Sequence, residues 1–213
     1  MQLRTFYGVL LCALLFAVGC NTPANGTPEE TTDNTTTNPP RTETGTPPAA
    51  GNGQYTVAML DTTIKSPRKE LKGKIDGVDV TINYGSPAVN ERTIYGDLVP
   101  YGQVWRTGAN EATRITFSDD VMVGEEKSMV PAGTYSLFTL PADKNDWTII
   151  LNKTADQWGA YDYSEDNDLV RVKGSSQPAS SDAERMDFAL DGNDVRLMWS
   201  DLVVSFPVSA AAR

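Results

Sequence analysis

From residue 78 the chain reads VDVTINY, with Val78, Val80, Ile82 and Tyr84 in one phase and Asp79, Thr81 and Asn83 in the other. A period of two places the first set on one side of an extended backbone and the second on the opposite side, as in a strand with one buried face. The same alternation runs through TRITF (113–117) and through GTYSLFTL (133–140), where Tyr135, Leu137 and Thr139 stand against Ser136, Phe138 and Leu140. LVRVKG, RMDFAL, VRLMWS and LVVSFPV continue it after residue 168, and WTIILN (147–152) is apolar almost throughout, as a central strand covered on both faces would be. Asp76-Gly77 predicts a hairpin between LKGKI and VDVTINY, DGND (191–194) predicts another tight turn, and VMV turns through GEEKS toward GTYSLFTL. No segment keeps a helical period over three turns, although TADQWGA (154–160) could form one short helical turn. Parallel strands need crossover connections that are absent here. The expectation is an all-β fold: an antiparallel β-sandwich over residues 55–213, with a jelly roll as the favoured variant.

The chain before that region has another character. Residues 1–19, MQLRTFYGVLLCALLFAVG, carry one cation at Arg4 and then an apolar run too short for a membrane-spanning helix, which needs about 20 residues. That is the pattern of a secretory signal peptide, and AVGC places small residues before Cys20 as a bacterial lipobox does, with Ala17 where leucine is usual. The expectation is cleavage before Cys20, lipidation of its thiol with diacylglyceryl and acylation of its new amino group. Residues 20–54 then form a Thr/Pro/Asn-rich tether too poor in apolar side chains to fold. The membrane would be a partner through that lipid, in the bacterial cell envelope, facing the periplasm or the exterior. The other cysteine, Cys12, falls within the signal, so the mature chain would have neither a disulfide nor a catalytic thiol.

Several chemistries are excluded by what is missing. The chain has no histidine, which removes the commonest general base and metal ligand and every Ser-His pair. Its formal net charge is −10 with basic residues scattered, so nucleic acid is a poor partner. SEDND (164–168) has oxygen ligands for calcium without the spacing of an EF-hand loop, and reads as a solvated turn. No metal set and no cofactor motif is evident, and a monomer is expected.

The candidate site is LVPYGQVWRTGANEAT (98–113), a long connection whose Leu98, Val99, Tyr101 and Trp105 argue against disorder. Arg106, Thr107, Asn110 and Thr113 offer a guanidinium fork, an amide and hydroxyls for a carboxylate, phosphate or sugar, over an aromatic floor. A purely structural loop remains open as the alternative: Gly102 and Gly108 would supply positive φ, Asn110 would cap backbone groups, and Arg106 would pair with Glu91, Asp97 or Glu111. QWGAYDY (157–163) is the second block. Gln157, Trp158, Tyr161 and Tyr163 could form a stacking platform for a sugar, but core aromatics closing an end of the sandwich are favoured unless Trp158 and Trp105 share one pocket.

SPR (66–68), ERTIYGDLVPYGQVWRTGANEAT (91–113), PAGTYSLFTLP (131–141) and LNKTADQWGAYDYSEDNDLVRV (151–172) resemble the bacterial domain of unknown function 2911 family, from about residue 66 to 206. The resemblance implies a domain found on secreted or lipid-anchored proteins, without an assigned activity. It adds Arg92 to the candidates, and Glu91 stands where the family usually has glycine. The functional expectation is a binding module for a small polar ligand or glycan. An enzyme is the less favoured alternative: a glycosidase-type hydrolase using carboxylates such as Glu91 and Glu111, or a Ser-Lys nucleophile. A structural envelope scaffold is the third.

Overall fold

The computed structural model describes residues 54–212. The expected signal peptide, the expected lipidation site Cys20 and the expected tether up to residue 53 lie outside the described residues. Ten strands make up the fold: β1 (Tyr55–Asp61), β2 (Arg68–Ile75), β3 (Val78–Gly85), β4 (Thr113–Phe117), β5 (Val121–Val123), β6 (Ser128–Val130), β7 (Gly133–Pro141), β8 (Trp147–Asn152), β9 (Asp168–Asp191) and β10 (Asp194–Ala210). They form one antiparallel sheet in the order β1-β2-β3-β4-β7-β8-β9-β10-β5-β6. The fold is all-β and sandwich-like, as the alternation requires. Its wiring is a meander with one displaced hairpin, simpler than the interleaved Greek keys of a jelly roll.

The alternating phases fall where they were placed. Val78, Val80, Ile82 and Tyr84 are buried, as are Ile115 and Phe117 on β4. Asp76 (φ 51°) and Gly77 (φ 85°) both take positive φ, which matches the turn to the twist of β2 and β3 and pairs Ile75 with Val78. β8 is buried on both faces by two different clusters. Trp147, Ile149 and Leu151 join the main core, while Ile150 packs with Phe138 and Ala112 on the outer face, under Tyr163.

One sheet makes two layers because β9 and β10 belong to both. β9 pairs with β8 from Asp168 to Gly174 and with β10 from Ser175 to Asp191. Its far half lies across β2 and β3, where Tyr84 meets Phe188 edge-on at 4.9 Å and Lys69 Nζ reaches Asp187 Oδ1 at 2.5 Å. β10 shows how the crossing keeps its buried face. Val195, Leu197 and Trp199 are buried, then Leu202, Val204, Phe206 and Val208, a change of phase by one residue. The register shifts on both sides of Ser200, which has φ 51°: Met198 to Leu202 lies opposite the longer stretch Asp187 to Pro178 of β9, and this irregularity changes the phase of β10 so that the same side stays inward.

Three features differ from the expectation. LVRVKG and RMDFAL are the two ends of one strand, β9, which continues between them through SSQPASSDAE without any apolar alternation; of that segment, residues 175–178 and Ala183 pair with β10. β1 and the three-residue β6 had no sequence signal. TADQWGA forms no helical turn; its Trp158 bridges to Glu111, and the one 3-10 turn among the described residues lies at Glu165–Asn167.

Candidate functional site

Residues 86–112 connect β3 to β4, and the connection is fastened along its whole length. Ser86 Oγ donates to the Met186 carbonyl at 2.7 Å, and Val89 N to Glu184 O at 2.7 Å, which ties its start to β9. Trp105 and Thr139 exchange backbone hydrogen bonds of 2.8 and 2.9 Å, which lays the middle on β7. Residues 106–113 close on themselves, with Thr113 N donating to Arg106 O and Thr113 Oγ1 to Thr107 O at 2.7 Å. The Thr107 hydroxyl is turned inward to Thr139 Oγ1 at 3.2 Å, in a residue 1 % exposed. Ala109 N reaches Gly85 O, and a Cβ on Gly85 would overlap the Ala109 carbonyl. Glycine ends β3 because the loop comes too close for any side chain.

This fastening leaves a pocket of about 260 Å³ above the Trp105–Trp199 stack, whose ring centroids are 5.8 Å apart. Arg92, Trp105, Arg106 and Asn110 line it, together with Lys65 and Ser66 from the β1–β2 connection. Its lining carries three cations and no carboxylate, in a chain of net charge −10. The cations are not equivalent. Arg92 donates through Nε to Val89 O at 2.9 Å and through Nη2 to Ala88 O at 2.6 Å. Arg106 donates to no acceptor among the described residues, and its Nε is buried without one. The other described arginines reach carboxylates or carbonyls: Arg68 and Glu111, Arg114 and Asp156, Arg171 and Asp168, Arg196 and Asp191, Arg185 and the Ser86 carbonyl. None of the ion pairs considered for Arg106, with Glu91, Asp97 or Glu111, is formed. Asn110 sits at φ 63° with Nδ2 toward the Ser66 carbonyl at 3.4 Å.

The second block lies alongside the first. Ala112 N donates to Gln157 O at 3.0 Å, and Glu111 bridges Trp158. Gln157 and Trp158 nevertheless face a different depression, of about 470 Å³, lined also by Leu60, Ile64, Arg68, Asn83, Glu111, Arg114 and Asp156. Trp105 does not line it. Trp158 is still not a core residue: it is 59 % exposed, and Tyr161 is 83 % exposed. Tyr163 is the aromatic of this block that packs inward, edge-on to Phe138 at 5.0 Å. Burial, followed by its hydrogen bond to Asp168, raises the Tyr163 hydroxyl pKa to about 12. Tyr101, Thr107 and Tyr161 line neither depression. Glu91 lines neither while Glu111 lines the larger, so that carboxylate pair does not converge. In SEDND, Asp168 serves Asn152, Tyr163 and Arg171, and Glu165 serves Arg171.

Lys65 precedes SPR and Arg68 ends it; neither stood out as a candidate in the sequence, because only the fold brings the β1–β2 connection and the start of β2 to residues 108–111. Asn83 and Arg114 were legible as outward positions of β3 and β4; that they face each other follows from the register. Comparison with curated proteins and with solved structures returns no match. A family model described as a protein of unknown function (DUF2911) matches residues 66–208, which take in both depressions except for the stretch from Leu60 to Lys65, and the chain belongs to that family.

Proposed function

We propose that this protein is a binding module for a small anionic molecule, a carboxylate or phosphate, held in the pocket over Trp105. The observation that carries this reading is Arg106: a guanidinium with no acceptor among the described residues, in a pocket with Lys65 and Arg92 and no acid. A buried donor without an acceptor costs about 1–3 kcal/mol, a cost that a ligand oxyanion removes. Asn110 adds an amide at the rim, and the stacked indoles give an apolar floor of the kind small-molecule sites use. The module belongs to the cell envelope, anchored by lipid on Cys20.

The test is calorimetric titration of the full-length protein in mild detergent with citrate, succinate, inorganic phosphate and glycerol 3-phosphate. At least one should bind, and Arg106→Lys should weaken it by about tenfold or more, since lysine keeps the charge and loses the planar fork. Unchanged affinity in Arg106→Lys, or no heat from any of the four, sinks the proposal.

A further inference from the structure

The larger depression is built from different chemistry. We infer that it is a second site, for the ring of a neutral sugar, with Trp158 as the stacking surface. Three of the eight large apolar side chains exposed among the described residues, Leu60, Ile64 and Trp158, line this one depression. Trp158 is not loose. Its backbone bridges Glu111, its neighbour Gln157 accepts from Ala112 N at 3.0 Å, and Gly159 turns the chain at φ 67° directly after it. With the backbone already fixed, binding has only the two side-chain torsions of the indole left to order, so little further freedom is lost.

The polar lining decides the ligand class. Arg68 Nη1 holds Glu111 Oε2 at 2.8 Å while its Nε donates to Asn83 Oδ1, and Arg114 holds Asp156. Asp61 accepts from Thr63, through both its backbone N–H and its hydroxyl, and these bonds hold its carboxyl below the ordinary range. Each charge is already answered, and the lining sums to two cations and three carboxylates. An anion gains nothing here. A polyol, whose hydroxyls donate and accept, can share both members of each pair without separating them. Gln157 supplies a separate pointer. Its Nε2 donates to Thr154 O at 2.7 Å and to Asn152 Oδ1 at 3.3 Å, which fixes the amide and leaves Oε1 buried with no donor, in a residue 9 % exposed. A sugar hydroxyl is the donor this acceptor lacks. A volume of about 470 Å³ is within the usual span of small-molecule sites, and an aromatic face against the apolar face of a pyranose, ringed by such polar groups, fits this lining.

The test uses tryptophan fluorescence. Trp105, Trp147 and Trp199 are 9 %, 0 % and 1 % exposed, so a ligand-induced blue shift reports on Trp158. Full-length protein in mild detergent is titrated with maltohexaose, cellohexaose, xylohexaose and N-acetylchitohexaose. At least one should shift the emission below roughly 10 mM, and Trp158→Ala should lower its affinity, read by calorimetry, by about tenfold or more. Trp158→Phe keeps a stacking face and should stay within about tenfold of the wild type. Citrate, succinate and inorganic phosphate should not displace the sugar, which separates this site from the anion pocket. No shift with all four sugars, or equal affinity in Trp158→Ala and the wild type, overturns the inference.

Discussion

Arg106 and Asp187 both set charge against the core, yet removing their polar groups should have opposite consequences. Asp187 Oδ1 accepts from Lys69 Nζ at 2.5 Å and from the Tyr84 hydroxyl at 2.9 Å, joining β2 and β3 to the far half of β9. The Lys69 side chain is 11 % exposed, so its ammonium cannot turn to water when the carboxylate is lost. Asp187→Ala should therefore cost about 3–5 kcal/mol in urea denaturation, the penalty of a buried charge left alone. Arg106 has no acceptor among the described residues to strand. Arg106→Lys should stay within about 1 kcal/mol of the wild type. Asn110→Gly is the matching variant for the amide, because it keeps the φ 63° backbone without strain. Trp105→Ala, which empties the floor under both, should cost about 3–5 kcal/mol. If the Arg106 and Asn110 variants each lost more than about 2 kcal/mol, the loop would be holding the sandwich together and the pocket reading would fail.

At the scale of elements, the loop is fixed to the end of β3 by a contact that only glycine allows. Gly85→Ala pushes a methyl group into the Ala109 carbonyl, so residues 106–110 must move. Calorimetry should show a loss of about 1–3 kcal/mol together with loss of anion binding, because the same segment lines the pocket. Most strands were legible for a plain physical reason. β3, β4, β7 and β8 bury side chains in a fixed phase, and burial leaves its period in the sequence. VRLMWS and LVVSFPV read as separate runs, and β10 joins them through the irregularity at Ser200, where the buried phase changes between Trp199 and Leu202. The middle of β9 was not legible, because residues 175–184 are extended without burying any side chain. The site was half legible. Arg106, Trp105 and Asn110 share a short loop and could be named together. Lys65 reaches them only through the packing of β1–β2 against β3–β4, and the pairing of Arg68 with Glu111 needs the same packing. Trp158 misled for the opposite reason: an aromatic between turn residues reads as core unless its exposure is known.

For the whole molecule, the distribution of ionisable groups sets the pH response. With no histidine, little titrates between about pH 6 and 9, and the melting temperature should be nearly flat there. Tyr55, Tyr84, Tyr95, Tyr135 and Tyr163 all have raised hydroxyl pKa values, burial being the first cause in each. In the unfolded chain they ionise near the ordinary value of 10.0, while the folded chain keeps their protons. Their contribution is therefore fully present below pH 10 and is lost as pH rises through about 12 for Tyr163 and beyond for the deeper rings. Thermal scans should show a fall beginning near pH 10. Anchoring is a separate prediction: labelled palmitate should enter the wild type and not Cys20→Ala, which should partition into the soluble fraction. The displaced hairpin, finally, bears on time. β5 and β6 follow β4 in sequence, but Val123 pairs with Val208, near the end of the last strand. β4 and β7 can zip together as soon as both have emerged, while the hairpin between them must wait, unpaired on one edge, for almost the entire remaining chain. Such distant pairings are slow to form, because the loop entropy is lost before the contact rewards it. A chain caught at that stage presents an open edge to its neighbours, so crowding during synthesis is the condition under which this fold is most exposed to misassembly.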